Sequence, residues 1–251
     1  MRKKIIAGNW KMYKTMQEAE DTISALVKNL SDYNTNNSVY IAAPFPFIDR
    51  LIQKFGNSSI RFGAQNLNEN KEGAFTGEIS GKMLQSIGCE FVLIGHSERR
   101  EYFKESHELI YNKIKAALEN ALQPVFCCGE RLEERNNKHH FTTIKSQVEE
   151  SLFSLSDDEM KKLVIAYEPV WAIGTGLTAS PEQAQEMHQY IRALLRAKFG
   201  TEIAENCLIL YGGSVKPSNA ESLFSQPDID GGLVGGASLI ADDFFKIITA
   251  I

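Results

Sequence analysis

The sequence predicts an α/β protein, a single (β/α)8 barrel of eight parallel strands spanning 1–251. Three observations carry that expectation. Short apolar runs alternate with amphipathic stretches along the whole chain, and the eight runs recur about every 30 residues, the spacing of a βα unit. The runs are close to continuously hydrophobic, as parallel strands covered on both faces are. No Ser/Gly-rich linker or shift of composition divides the chain, so one barrel accounts for it better than two smaller domains or an open sheet.

Composition narrows the function classes. The 251 residues are 43% hydrophobic and 24% charged, ordinary for a soluble globular chain, which excludes collagen-like, low-complexity and disordered proteins. Lys plus Arg is 27 against 32 Asp plus Glu, a net charge of −5 with no basic stripe, so nucleic acid is not an expected partner. An anionic small substrate stays open, held by local donors rather than by the overall field. The basic start, Met1-Arg2-Lys3-Lys4, leads into an apolar run too short for a signal peptide or a membrane span. Cys89, Cys127, Cys128 and Cys207 form no CxxC pair. Adjacent strand residues face opposite ways, so Cys127 and Cys128 do not share a metal, and reduced, buried thiols in a cytoplasmic protein are expected.

In a barrel of this kind the chemistry sits just beyond the strand C-terminal ends. The first run, Lys4–Asn9, is followed by Asn9-Trp10-Lys11. A lysine there either neutralises an anionic substrate, with Asn9 as a donor beside it, or reaches solvent; its residue type does not decide. The second and third runs are Val39–Ala43 and Ile60–Ala64. The fourth, Phe91–Gly95, leads into His96-Ser97-Glu98-Arg99-Arg100, where Ser97 and Glu98 open a short helix. The positive end of that helix disfavours an imidazolium, so His96 is expected neutral and donating one N–H, with Glu98 a carboxylate partner for Lys11. The competing reading is a satisfied core histidine. His107, His139, His140 and His188 have no ligand spacing, and no metal is expected.

The fifth run is Pro124–Cys128, and the sixth, Leu163–Tyr167, ends on Glu168. A carboxylate closing an apolar strand is expected to be a stronger base than one in water. Pro169 stops the strand, and 169–179 carries Val170, Trp171 and Ile173 with Gly174 and Gly176 into a loop. An apolar glycine-bearing loop there reads as a lid that covers a ligand and expels water. Behind it Ser180-Pro181-Glu182-Gln183 is a capping box, followed by Ala184, Met187, Ile191, Leu194, Leu195 and Phe199 at helical spacing, with Gly200 as the stop. After the seventh run, Leu208–Tyr211, comes Gly212-Gly213-Ser214; after the eighth, Gly232–Val234, comes Gly235-Gly236-Ala237-Ser238. Glycines ahead of a helical turn expose backbone N–H groups to an anion, and barrels often hold phosphate after strands seven and eight.

Asn9-Trp10-Lys11-Met12, Gly95 through Arg100, Ala166 through Gly176, Tyr211-Gly212-Gly213-Ser214-Val215 and Gly235-Gly236-Ala237-Ser238-Leu239 together resemble the triosephosphate isomerases, over essentially the whole chain. The resemblance implies a TIM barrel that interconverts dihydroxyacetone phosphate and D-glyceraldehyde 3-phosphate without a cofactor, in glycolysis and gluconeogenesis in the cytoplasm. By it, Glu168 is the base, His96 the electrophile, Lys11 an electrostatic group and Asn9 a donor to the oxyanion. Gly174, Ser214, Gly235 and Gly236 match phosphate-binding backbone positions. It also implies a homodimer formed through the long loop Gln65 to Glu78, with Phe75 and Thr76 reaching toward Met12 of the neighbour. Tyr13, where asparagine is frequent, and Cys128, where an aliphatic residue is frequent, are departures not expected to touch the chemistry. A non-catalytic phosphosugar-binding barrel and an aldolase are the competing readings. The first is opposed by the intact Glu168, His96 and Lys11. The second needs a lysine of depressed pKa, which Lys11 beside Glu98 does not offer.

Overall fold

A computed structural model describes residues 2–33, 35–174 and 177–251; Thr175 and Gly176, part of the expected lid, lie outside the described residues. All eight apolar runs are strands, each end within one residue of its expected bound. They are β1 (Ile5–Asn9), β2 (Ser38–Ala43), β3 (Ile60–Ala64), β4 (Phe91–Ile94), β5 (Gln123–Cys128), β6 (Val164–Tyr167), β7 (Leu208–Tyr211) and β8 (Gly231–Val234). Each pairs in parallel with the next, and β8 returns to β1 through Ile5↔Gly231, so the sheet closes.

Closure gives the strands an inside and an outside, and both are apolar. Ile5, Ala7, Tyr40, Ala42, Leu93, Val125, Cys127, Ala166 and Leu210 pack together within the barrel. Their strand neighbours, such as Ile6, Ile41, Phe126, Cys128, Ile165 and Ile209, pack outward on the helices. Cys127 and Cys128 therefore do face opposite ways, and burial pushes the Cys128 thiol up to about 12. The interior is filled: a Cβ on Gly63 would lie 2.4 Å from the Phe91 ring, which occupies that space and packs on Tyr40 at 4.8 Å between ring centres.

The main outer helices are α1 (Met16–Ser31), α2 (Phe45–Phe55), α3 (Gly81–Ser86), α4 (Ser97–Tyr102), α5 (His107–Glu119), α6 (Leu132–Asn136), α7 (His140–Leu152), α8 (Asp157–Met160), α9 (Pro181–Asn206), α10 (Ala220–Phe224) and α11 (Ala241–Ile248). Ser180 caps α9 through the box with Gln183, as its sequence requires. Gly200 does not stop the helix outright. At φ 83° it breaks the ladder, and the chain then resumes its helical path to Asn206 because Ile203 and Ala204 still have a buried face to fill.

Candidate active site

At the C-terminal mouth of the barrel lies a cavity of about 740 Å³, lined by all eight residues singled out for substrate: Asn9, Lys11, His96, Glu168, Gly174, Ser214, Gly235 and Gly236. Each comes from the end of a strand or the loop after it, because parallel strands deliver all their C-termini to one rim.

On the β1 side, Asn9 ends the strand and its Oδ1 accepts the Lys11 backbone N–H at 3.0 Å. That fixes the amide, leaving its NH2 as the donor available to the cavity. Lys11 has φ 50°, an uncommon conformation for a residue with a side chain, and Gln65 secures it by donating Nε2–H to the Lys11 carbonyl at 2.9 Å. The Lys11 ammonium lies 2.7 Å from Glu98 Oε1, the pairing the sequence suggested.

On the opposite side, His96 caps α4: its Nδ1 accepts the Glu98 backbone N–H at 3.2 Å. With Nδ1 accepting, the ring proton belongs on Nε2, which points at Glu168 Oε1 3.0 Å away. Burial penalises the imidazolium most, but the Glu168 carboxylate outweighs it and moves the His96 pKa upward from its ordinary value. That upward direction belongs to the arrangement in which the carboxylate rests on the ring. The Nδ1 bond favours the neutral Nε2–H form, which donates to Glu168 without a charge on the ring.

Glu168 is itself 2% exposed. Its backbone N–H donates to the Cys128 carbonyl at 2.7 Å, and the N–H of Gly212 donates to Tyr167 at 2.7 Å, so β6 is held on both flanks where the carboxylate emerges. Oε2 accepts the Ser97 backbone N–H at 3.1 Å, so both carboxylate oxygens are engaged by the β4 loop. The flanks are bare. A Cβ on Gly129 would lie 1.7 Å from the Glu168 carbonyl oxygen, and one on Gly212 2.8 Å from its Cγ.

Beyond Glu168 the chain enters a 3-10 turn, Val170–Ala172. The Trp171 indole N–H donates to Glu130 Oε1 at 2.9 Å, and the Tyr167 hydroxyl donates to the same oxygen at 3.0 Å. Burial raises the Glu130 carboxyl above its usual range, opposed by those two donors. The loop thus starts from a buried acceptor and carries Ile173 and Gly174 to the cavity edge. Across from it, Gly212 to Ser214 follow β7 and Gly235 precedes the 3-10 turn Gly236–Leu239, where Ser238 returns its N–H and its hydroxyl to the Gly235 carbonyl at 2.9 and 2.7 Å.

Met12, Phe75 and Thr76 do not join this cavity; they are exposed, Met12 by 94% and Phe75 by 46%. Of the two departures, Tyr13 lines the cavity mouth, while the Cys128 side chain packs outward on the helices and only its main-chain carbonyl, which any residue has, accepts the Glu168 backbone N–H. Sequence reading missed Ser97, Gln65, Gly129 and Glu130; only Gly129 and Glu130 carried a signal, a glycine and a carboxylate directly beyond an apolar run. Among the described residues, no group of three or more His, Cys, Asp or Glu could hold a metal ion.

Comparison with known proteins identifies the family. The family model described as triosephosphate isomerase matches residues 4–251. The chain is similar to the triosephosphate isomerase of Flavobacterium johnsoniae, 50% identical over 251 residues and all of both chains. It is similar to that of Fusobacterium nucleatum, 50% identical over all of this chain and 99% of the relative. To that of Porphyromonas gingivalis W83 it is 49% identical over the full length of both.

Proposed function

The chain belongs to the triosephosphate isomerase family, and from that premise we propose how its own residues interconvert dihydroxyacetone phosphate and D-glyceraldehyde 3-phosphate. The reaction moves a carbonyl between adjacent carbons, so a weakly acidic C–H proton must be removed from one and returned to the other. The hydroxyl proton must also pass from the first oxygen to the second, by way of the His96 Nε2–H that faces them both. A single carboxylate at the edge of the substrate plane serves both carbons. Glu168 is that base; to reach substrate it turns off the Ser97 N–H, whose bond it otherwise holds at 3.1 Å. Charge develops on the carbonyl oxygen as the proton leaves. His96 Nε2–H, the Asn9 amide and the Lys11 ammonium stabilise it, donors held in place before the reaction by Glu98, by the Lys11 N–H and by Gln65.

The phosphate rests on the backbone of Gly174, Ser214, Gly235 and Gly236, where short or absent side chains let it approach the chain closely. The 169–179 loop closes over it, keeping water from an enediolate that would otherwise expel phosphate. The observation that carries the reading is the buried carboxylate held 3.0 Å from the imidazole at the rim of a cavity with a cation on its far side. A coupled assay with glyceraldehyde 3-phosphate tests it. Glu168→Gln is expected to lose about 1000-fold or more in turnover while inorganic phosphate still inhibits. Turnover near that of the unaltered protein would remove Glu168 as the base, and binding without turnover in the unaltered protein would return the non-catalytic reading.

We further propose one barrel domain acting as a homodimer in the cytoplasm. The neck of the 65–78 loop is closed by the Asn68 N–H on the Ile79 carbonyl at 2.8 Å, so Phe75 and Thr76 project from it. Met12, Met83, Tyr102 and Phe103 also expose large apolar side chains, which a second copy would cover. Among the described residues no helix is long and apolar enough to cross a membrane. Sedimentation of Phe75→Asp checks the contact: the dimer is expected to shift toward monomer, and an unchanged mass would remove this loop from the interface.

A further inference from the structure

The loop from Trp10 to Thr15 joins β1 to α1, and two of its residues adopt left-handed backbone, Lys11 at φ 50° and Lys14 at φ 74°. For Lys11 the reason is in the cavity. Lys14 lies outside it, yet its ammonium is fully engaged: it donates to the Thr22 hydroxyl of α1 at 2.7 Å and to the Leu239 carbonyl at 3.0 Å, and sits 5.3 Å from the centre of the Trp10 ring. Trp10 is fully buried, and its indole N–H donates to the Ser238 carbonyl at 3.2 Å.

Ser238 and Leu239 are the last two residues of the 3-10 turn that begins at Gly236. A 3-10 turn this short leaves its final carbonyls without partners of its own. Trp10 and Lys14 supply those partners from the β1 loop. At the other end the turn is tied by Ser238 onto the Gly235 carbonyl. Gly8 completes the fit: a Cβ there would lie 2.8 Å from Ser238 Cβ, so β1 and the turn touch. The segment from Gly235 to Leu239 is thus clamped at both ends, and the clamp at its far end is a lysine with left-handed backbone.

We infer that Lys14 is a positioning residue for substrate phosphate, fixing the Gly236–Leu239 turn so that the Gly235 and Gly236 backbone meets the anion in one orientation. The inference rests on the reading of Gly235 and Gly236 as phosphate-binding positions. Phosphate is bound in ground state and transition state alike, so loosening the turn weakens binding and leaves the chemical step nearly intact. Lys14 does not itself touch substrate.

The test compares Lys14→Met, which keeps the aliphatic stem over Trp10 and removes both donors, with Lys14→Arg, which restores them. For Lys14→Met, KM for glyceraldehyde 3-phosphate and the inhibition constant of inorganic phosphate are expected to rise together by about three- to tenfold, with kcat within about twofold. Lys14→Arg is expected to recover most of both. A lowered melting temperature with KM and phosphate inhibition unchanged would overturn the inference, because it would make Lys14 a tie of α1 alone; so would a fall in kcat at constant phosphate affinity. Gly236→Val, measured in parallel, separates the two levels. If it weakens phosphate and Lys14→Met does not, only the role of Lys14 falls. If it leaves phosphate affinity unchanged, the reading of the turn falls and the inference with it.

Discussion

In the proposed reaction the β4/β6 half of the cavity and the β7/β8 half handle negative charge by different means. In the first, the groups are side chains deep in the rim: His96 is 6% exposed and Glu168 2%, each oriented by backbone N–H groups of α4. In the second, the chain presents Gly212, Gly213, Ser214, Gly235 and Gly236, and in the proposed reading its donors are main-chain N–H groups. The reason is chemical. A proton that must leave and return needs a group that titrates, and only a side chain does. A phosphate is charged throughout, so fixed dipoles suffice, and the shorter the side chain the closer they come. The first half is therefore sensitive to atoms removed, the second to atoms added.

The largest expected effect breaks the first half. Glu168→Asp retracts the carboxylate by about one methylene and is expected to cost on the order of 100-fold or more in kcat with KM little changed, measured in the coupled assay. Gly236→Val adds atoms where nothing lies within 4 Å, and is expected to raise KM by about tenfold with kcat nearly constant. If instead it lowered kcat and spared KM, the division between the halves would fail.

The seam between the halves gives a pH prediction. His188 is fully buried, its ring edge-on to Tyr167 of β6 at 5.7 Å and tilted against Tyr211 of β7 at 6.3 Å, with Nδ1–H directed to the Asp228 carbonyl at 3.2 Å. Burial holds its pKa down to about 3, against 6.5 in the unfolded chain. As pH falls the unfolded chain takes up that proton first. The stability from the neutral ring is complete above pH 6.5 and is lost at up to about 1.4 kcal/mol per pH unit below it. Urea midpoints between pH 7 and pH 5 are expected to decline less steeply in His188→Gln; equal slopes would show that the ring titrates alike in both states. The smallest effect belongs to the lid. Trp171→Phe removes the donor to Glu130 at 2.9 Å and is expected to change kcat by about threefold or less, a difference that solvent viscosity modulates if loop motion limits turnover.

Legibility in the sequence divides along the same lines. The strands could be read because burial on both faces leaves near-continuous apolar runs, and Glu168, His96 and Lys11 because a polar group directly beyond such a run is costly without a purpose. The glycine pairs were readable only from their shared place after the last two strands. Ser97 could not be read, since what it contributes is a backbone N–H that any residue possesses. Gln65 contacts a carbonyl of the β1 loop, and Gly129 matters only because β5 lies beside β6; both are facts of register. Tyr13 reads in the sequence only as a departure from the family's frequent asparagine, and its place at the cavity mouth depends on the path of the loop after Lys11. Gly200 read as a terminus because its freedom at φ 83° serves a break and an end equally well.

The bare flanks at Gly129 and Gly212 restrict what redesign or natural variation can do with this site. Neither neighbour of the base has room for even one methyl group, so a library randomised at those two positions would return glycine alone among active clones. New substrate preference must come from the rim loops instead, where Tyr13 is exposed at the cavity mouth and its side chain is not packed against the carboxylate.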